Sequence, residues 1–390
     1  MILGGSSVVA EDLSDGVYSC KGQSALSLFQ LFMRFEHIPL RLTFDDVLLE
    51  PRRSTVARSD VDVSAQFTKK IRLAIPIASA AMDTVSDGRM AVALGKLGGI
   101  TVLHRNCEIA KQVSWVRQAK KAGVKVAAAV GPTDVERAKA VARAGADAVV
   151  VDCAHAHHAA VIKGARSIRR AVKSQLVIGN IATREAAREI GAFADALKVG
   201  IGPGSICTTR VVAGVGVPQL SAVFEVAQEA KKKKIPVIAD GGMRFSGDVV
   251  KALAAGASCA MLGSMLAGTK EAPGRLVRVK DKLFKNYRGM GSLRALEGRR
   301  SSDRYFQKGA KRFVPEGIEG LVPYRGTLED VVWQVVGGVR SGMGYVGART
   351  ITELPSRARF VRLTGAGFSE SHPHNVLMKK IAPNYQPFDG

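Results

Sequence analysis

From Leu73 onward, short apolar runs alternate with amphipathic stretches. The runs are LAIPIASA (73–80), GITVL (99–103), VKVAAAV (124–130), DAVVVD (147–152), QLVIGN (175–180), DALKVG (195–200), IPVIAD (235–240) and SCAMLG (258–263). They are rich in Val, Ile and Ala and nearly continuous in apolarity, as strands covered on both faces must be. Between them lie helix-period segments such as PTDVERAKAVARAGA and SAVFEVAQEAKKKK. Asp134 and Ser246 stand at N-cap positions, and the AGA tails at 144–146 and 255–257 read as glycine C-caps. Eight strand–helix units over roughly 200 residues predict a TIM (β/α)8 barrel, with an open doubly wound sheet as the alternative.

In a barrel, function gathers at the C-terminal ends of the strands. There the text turns polar or glycine-rich: AMDTV, HRN, VGP, DCAHAHH, GNIAT, GIGPGSICTT, DGGM and LGSM. After the eighth run, about 287–323 is rich in Gly, Arg and Ser and too long for an ordinary connection, so it is expected to be a mobile functional flap, with a disordered segment as the alternative. Residues 33–390 are read as one catalytic domain. Residues 1–32, with a possible short helix at ALSLFQLF (25–32) and a second plausible start at Met33, are read as a possible N-terminal extension.

Composition narrows the partners. Of 390 residues, 46% are hydrophobic and 23% charged, which excludes an intrinsically disordered chain. The 57 Lys+Arg against 34 Asp+Glu leave a net charge of +23, so an anionic partner is expected: nucleotide, nucleic acid or membrane surface. Five cysteines without a CxxC pair do not form a disulfide framework or a thiolate zinc site. The start of the chain lacks a signal peptide's layout, and no apolar run approaches the ~18 residues of a membrane span. A reducing, cytoplasmic setting is the expectation.

DGG (240–242) and Gly263–Ser264 close the seventh and eighth runs, where barrels often hold phosphate because glycine lets backbone N–H groups approach the oxygens. Ser205 adds a hydroxyl. In GIGPGSICTTR (200–210), Cys207 sits among backbone amides on a glycine-framed loop, a setting that lowers thiol pKa and exposes sulfur for attack; the alternative is a small buried hydrophobe. Glycine carbonyls of that loop offer ligands for a monovalent cation. His155, His157 and His158 resemble metal-binding text only weakly, and Lys231–Lys234 reads as the cationic end of a helix rather than a nucleic-acid patch. Asp45 and Asp46 precede the barrel and read as structural.

GIGPGSICTT, IADGGMRFSGD, NYRGMGS, SSDRYFQ, SGMGYVGA, LTFDDVLLEP and TGAGFSESHPH together resemble bacterial-type inosine-5′-monophosphate (IMP) dehydrogenase, from about Leu42 to Tyr385. The resemblance implies NAD-dependent oxidation of IMP to xanthosine 5′-monophosphate in guanine nucleotide synthesis. Cys207 would attack purine C2, and Arg304, Tyr305 and Thr209 would activate the water that hydrolyses the resulting thioimidate, with Glu316 a secondary proton route. Asp240 would bind ribose. Ser205, Gly242, Gly263, Ser264 and Tyr287 would hold phosphate, with Met82, Gly289, Met290, Gly291 and Glu316 around the base. Asp152, Cys153, Asn180, Gly200 and Gly202 would line the NAD path. Potassium would take carbonyls of Gly202, Gly204 and Cys207, joined by Glu370, Ser371 and His372 of a neighbouring subunit in a homotetramer.

Two departures accompany the resemblance. The family usually inserts a CBS pair between the second and third barrel strands, but WVRQAKKAGVKVAAAVG crosses that point without room for it, so nucleotide control through that module is expected to be absent. DCAHAHH carries Ala156 and His158 where relatives have glycine and a small polar residue, which bears on NAD affinity. Guanosine monophosphate reductase shares GIGPGSxCTT and the missing module, yet lacks the RY pair and RGMGS loop found here at 304–305 and 288–292. A basic nucleic-acid-binding protein fits poorly with 6% aromatics and scattered Lys/Arg.

Overall fold

The computed structural model describes residues 38–298, 302–307, 309–379 and 382–385. The expected extension over 1–32 lies outside the described residues, and of the unit Met1–Leu40 only three exposed residues are described. The following concerns the unit Arg41–Gly390.

Eight parallel strands close into a barrel: β1 (Ile77–Ser79), β2 (Ile100–Leu103), β3 (Val126–Val130), β4 (Ala148–Asp152), β5 (Gln175–Ile181), β6 (Ala196–Val199), β7 (Val237–Asp240) and β8 (Cys259–Leu262). All eight expected strands are present. The outer layer is α1 (Gly88–Lys96), α2 (Ile109–Lys121), α3 (Val135–Arg143), α4 (Ala159–Ala171), α5 (Arg184–Ile190), α6 (Gln219–Lys231) and α7 (Ser246–Ala254). A single helix, α2, joins β2 to β3.

Strand alternation explains why the runs read as continuously apolar. Val126, Ala128, Val149 and Val151 belong to the core between barrel and helices; Ala127, Ala129, Ala148 and Val150 belong to the separate barrel interior. The interior residues are mostly small, as layers filled from eight converging strands must be. Phe67, Ile71 and Leu73, from the hairpin Ala65–Gln66/Arg72–Leu73, extend that interior cluster.

The caps hold with one correction. The Asp134 carboxylate accepts from Arg137 N–H, and Gly145 and Gly256 take left-handed φ values of 101° and 106°. Ser246, however, is the first residue of α7 and makes no cap. Asp248 takes that role: its carboxylate reaches back to accept from Arg244 N–H at 2.9 Å and Phe245 N–H at 3.1 Å. Asp45 and Asp46 are structural, Asp46 accepting from Thr43 N–H at 2.6 Å and Asp45 pairing with Arg244.

The expected flap has an ordered root that begins earlier than the glycine-rich text. β9 (Leu276–Val279), β10 (Lys282–Arg288) and β11 (Glu319–Pro323) form an antiparallel sheet, and everything between β10 and β11 is carried on it. Arg288 donates through Nε to both oxygens of Asp83, at 3.1 Å each, tying that root to the loop after β1. A 19-residue helix, α8 (Leu328–Val346), then returns to pack on α7.

His104, just after β2, is buried edge-to-face against Trp115 with ring centroids 4.9 Å apart, and its Nδ1 accepts from Asn106 N–H at 3.1 Å. Burial pushes its pKa down to about 4. The unfolded chain therefore binds a proton here, near pH 6.5, that the folded chain refuses, so stability present above pH 6.5 is lost as the pH falls toward 4. The term is about 3 kcal/mol at most. Thermal melts of His104→Gln should show a shallower loss of melting temperature between pH 7.5 and 5 than the parent; identical slopes would refute the assignment.

Candidate active site

The barrel interior ends in an ionic layer. Counting in twos along the strands puts Asp152 above Val150 on β4, Lys198 above Ala196 on β6 and Asp240 above Ile238 on β7, all on the inward side. The Lys198 ammonium, 1% exposed, lies 3.0 Å from Asp152 Oδ1 and 2.7 Å from Asp240 Oδ2, and also donates to Asn180 Oδ1. Asn180 in turn donates to Asp240 Oδ2 at 3.0 Å and Gly200 O at 2.6 Å. Gly179 makes this layer possible: a Cβ there would stand 2.5 Å from Lys198 Cβ. Removing one partner from such a buried pair strands the other charge, at about 3–5 kcal/mol.

The nucleophile candidate lies on the loop after β6. Gly200 has φ 146°, and any side chain there would meet Asp240 O at 2.2 Å, so only glycine lets the chain leave β6 in this direction. The loop turns on Cys207 N–H donating to Gly204 O at 3.0 Å. It is clamped from the flap side: Thr208 N–H donates to Glu316 O and Ile318 N–H to Ile206 O, both at 3.0 Å. The Cys207 thiol, partly exposed, donates to Thr209 Oγ1 at 3.2 Å. The other described cysteines are buried. Burial pushes the Cys153 thiol up to about 11 and that of Cys259 higher still, which leaves both inert at neutral pH.

Over this loop lies the flap. Its 3-10 turn Ser302–Tyr305 places Arg304 against Asp152 Oδ2 and lets Ala154 N–H donate to Arg304 O at 3.0 Å. Asp303 pairs with Arg105 at 2.8 Å, and the Phe306 ring packs on His158 at 4.8 Å. The side chains of Arg304 and Tyr305 hydrogen-bond each other. Burial lowers the pKa of the Arg304 guanidinium, and it raises that of the Tyr305 phenol. Arg304 Nε is buried without a hydrogen-bond partner. Tyr305 rests on Gly291, where a Cβ would stand 2.7 Å from the ring.

The cleft continues from Cys207 toward β7 and β8. One chamber is bounded by Cys207, Thr209, Met290, Arg304, Tyr305 and Glu316, with Gly202 and Gly289 in its wall. The next is bounded by Ser205, Gly242, Arg244, Gly263 and Ser264. Met82, Gly204, Asp240 and Tyr287 wall both, so the two are halves of one trough. Tyr287 hydrogen-bonds Ser205 and sits 3.6 Å from Met82 Sδ.

The structure thus gathers the residues expected to act on substrate and cofactor at one end of the barrel. Glu370, Ser371 and His372 do not line the trough: Glu370 ends the short helix Gly365–Glu370 and Ser371 and His372 follow it, with the His372 ring meeting Tyr385 Oη at 3.2 Å and packing on Phe245. On the 202–207 loop, Arg210 donates to the carbonyls of Ile201 and Val217 but not to those of Gly202 or Gly204. His158 accepts from Ala160 N–H and so caps α4, while His157 pairs with Glu189; among the described residues no cluster of metal-ligating side chains forms. Sequence reading missed Lys198, the Arg105–Asp303 pair and the Asp83–Arg288 pair. For Lys198 the signal was available: a lysine on the inward parity of an otherwise apolar strand.

Residues 41–374 match the family model described as IMP dehydrogenase / GMP reductase domain. Among curated relatives, inosine-5′-monophosphate dehydrogenase of Aquifex aeolicus is 41% identical over 476 residues, covering 88% of this chain and 97% of the relative. The enzyme of that name from Methanocaldococcus jannaschii is 40% identical over 480 residues, with 88% and 97% covered. Both alignments are longer than this whole chain, as insertions in those relatives require. That from Cryptosporidium parvum is 42% identical over 399 residues, covering 90% of this chain and all of the relative.

The thiols give a direct check on the site. Iodoacetamide at neutral pH, followed by peptide mapping, should label Cys207 well ahead of Cys107, Cys153 and Cys259. Equal or faster labelling of Cys153 would contradict the geometry.

Proposed function

We propose that this chain, which belongs to the IMP dehydrogenase / GMP reductase family, is an NAD-dependent IMP dehydrogenase that forms xanthosine 5′-monophosphate for guanine nucleotide synthesis. The observation that carries the reading is the convergence of the Cys207 thiol with the Arg304–Tyr305 pair over one trough. A reductase needs the cysteine but has no use for a water-activating flap.

The trough suits a nucleoside monophosphate. Ser205, Gly242, Gly263, Ser264 and Tyr287 would hold the phosphate, since Gly263 leaves open the space a Cβ would take 2.9 Å from the Tyr287 hydroxyl. Asp240 would accept from the ribose hydroxyls. Met82, Gly289, Met290, Gly291 and Glu316 would surround the base and set C2 over Cys207 Sγ.

The Cys207 thiol gives up its proton by way of Thr209 Oγ1 to solvent, sulfur bonds to C2, and the hydrogen at C2 departs with its electron pair. NAD+, when bound, accepts that hydride. The residues fit a dinucleotide: Asp152 presents a carboxylate for sugar hydroxyls beside Cys153, Asn180, Gly200 and Gly202. Its Oδ2 is free for this only when Arg304 has moved away, so the flap and the cofactor take turns on one carboxylate.

What remains on Cys207 is a thioimidate. Arg304, returned over it, takes a proton from water; burial makes the neutral guanidine more accessible than in solvent, and Tyr305 and Thr209 hold the water and its proton network. Hydroxide adds to C2, the C2–S bond breaks, and Cys207 recovers its proton. Glu316 stands at the same chamber as a second proton route. Because Arg304 acts unprotonated, the hydrolytic step should accelerate as pH rises.

Carbonyls of Gly202, Gly204 and Cys207 would hold a potassium ion that braces the loop. Their donor set is hard oxygen, and the three carbonyls belong to one tight turn. Glu370, Ser371 and His372, which do not line the trough, would complete the shell from a neighbour in a cytoplasmic homotetramer. Among the described residues no helix is long and apolar enough to cross a membrane.

The purified protein should produce NADH from IMP and NAD+ and consume no NADPH with guanosine monophosphate. The reverse pattern would make it a reductase and overturn the proposal. Replacing sodium by potassium should raise turnover, and Glu370→Ala should blunt that response; turnover indifferent to potassium would remove the cation from the account.

A further inference from the structure

Lys198 has no part in the chemistry above, yet among the described residues it is, with Asp152, one of the most buried charges. Its ammonium touches Asp240 on the substrate side, Asp152 on the cofactor side and Asn180 between them. The two oxygens of Asp152 are divided: Oδ1 faces Lys198 and Oδ2 faces Arg304, and neither has a further hydrogen-bond partner. The backbone carbonyl of Asp152, not its carboxylate, accepts from Arg105 at 3.4 Å.

One of the two cations is fixed and the other rides on the flap. Lys198 projects from the middle of β6, a barrel strand paired on both sides, with its side chain filling the room left by Gly179. Arg304 projects from a short turn anchored by Asp303–Arg105, by Phe306–His158 and by a single main-chain hydrogen bond, Ala154 N–H to Arg304 O. If the flap withdraws, Asp152 keeps a partner only because Lys198 stays. Without Lys198, withdrawal would leave a buried carboxylate with no cation, a state disfavoured far more than an exposed one.

We propose that Lys198 is a positioning residue that lets the flap leave: by holding Asp152 and Asp240 in place while Arg304 departs, it makes the open, hydride-transfer state accessible. This rests on the reading of the site as an IMP dehydrogenase. Lys198 touches neither reacting atom; it sets the balance between the two occupants of Asp152 and keeps the ribose-binding carboxylates aimed.

Two variants test it, Lys198→Gln, which keeps hydrogen-bonding capacity without charge, and Lys198→Arg, which keeps the charge. In the free enzyme, amide hydrogen exchange across 302–307 should slow in Lys198→Gln, because Arg304 is then the only cation on Asp152, and remain at the parent level in Lys198→Arg. In single-turnover mixing with IMP and NAD+, Lys198→Gln should slow NADH formation about tenfold or more while the following hydrolysis changes by less than about twofold. Lys198→Arg should restore the parent division between the two steps.

Unchanged or faster exchange in Lys198→Gln would overturn the proposal, as would an equal fall of both steps. Loss of the fold in Lys198→Gln with an active Lys198→Arg would make Lys198 a stability residue and overturn it too. A parent enzyme that makes no NADH from IMP would defeat the functional reading instead, and the exchange comparison would still decide the role of Lys198.

Discussion

A lysine buried between two carboxylates at the top of a barrel is the constraint on which the site rests. Lys198 can stay charged there only because Asp152 and Asp240 flank it, and they in turn can stay buried only because it is present. The layer fixes the relative height of β4, β6 and β7, and with them the loops that carry the rest of the site. Below it the barrel is filled by apolar side chains, many of them alanine and valine, which contribute packing without specifying chemistry. The one charged layer is also where both partners of the proposed reaction would meet.

Two elements of opposite character work on that base. The 200–207 loop is directed by Gly200 and clamped through main-chain hydrogen bonds to Glu316 O and from Ile318 N–H, so Cys207 has one place to be. The flap tip is held by the Asp303–Arg105 pair, the Phe306–His158 ring contact, one main-chain hydrogen bond from Ala154 and the buried Arg304–Asp152 pair, all confined to one short turn. A nucleophile benefits from the first arrangement and a group that must come and go from the second. The ordered root, β9–β11 with the Asp83–Arg288 pair, lets the tip move without loosening the clamp on the cysteine.

Much of this was legible in the sequence because strand and helix periods are local. The eight runs and the Asp134 cap follow from nearest-neighbour physics, and the strand-end motifs gather at one face because every parallel strand points the same way. Ser246 misled because serine suits a cap wherever it stands, while Asp248 reached the open amides from two residues further on. The inward parity of Lys198 can be read from DALKVG, but its partners, Asp152 and Asp240, lie 46 and 42 residues away, so spacing does not announce the pairing. Arg105–Asp303 spans 198 residues, a separation at which spacing carries no signal. The flap was visible as an unusually long connection, but its β-sheet root was not, because Leu276–Val279 and Lys282–Arg288 alternate too briefly to stand out.

The central claim is that bond formation at Cys207 and water activation at Arg304 belong to different elements and can be separated. Rapid mixing of Arg304→Ala with IMP and NAD+, read by NADH absorbance and by intact mass, tests this most directly. One NADH per active site should appear at close to the parent rate. Turnover should then fall by about 10²–10⁴, with the nucleotide carried as a covalent adduct on Cys207. A variant that makes no initial NADH, or turns over at the parent rate without accumulating the adduct, would contradict the account.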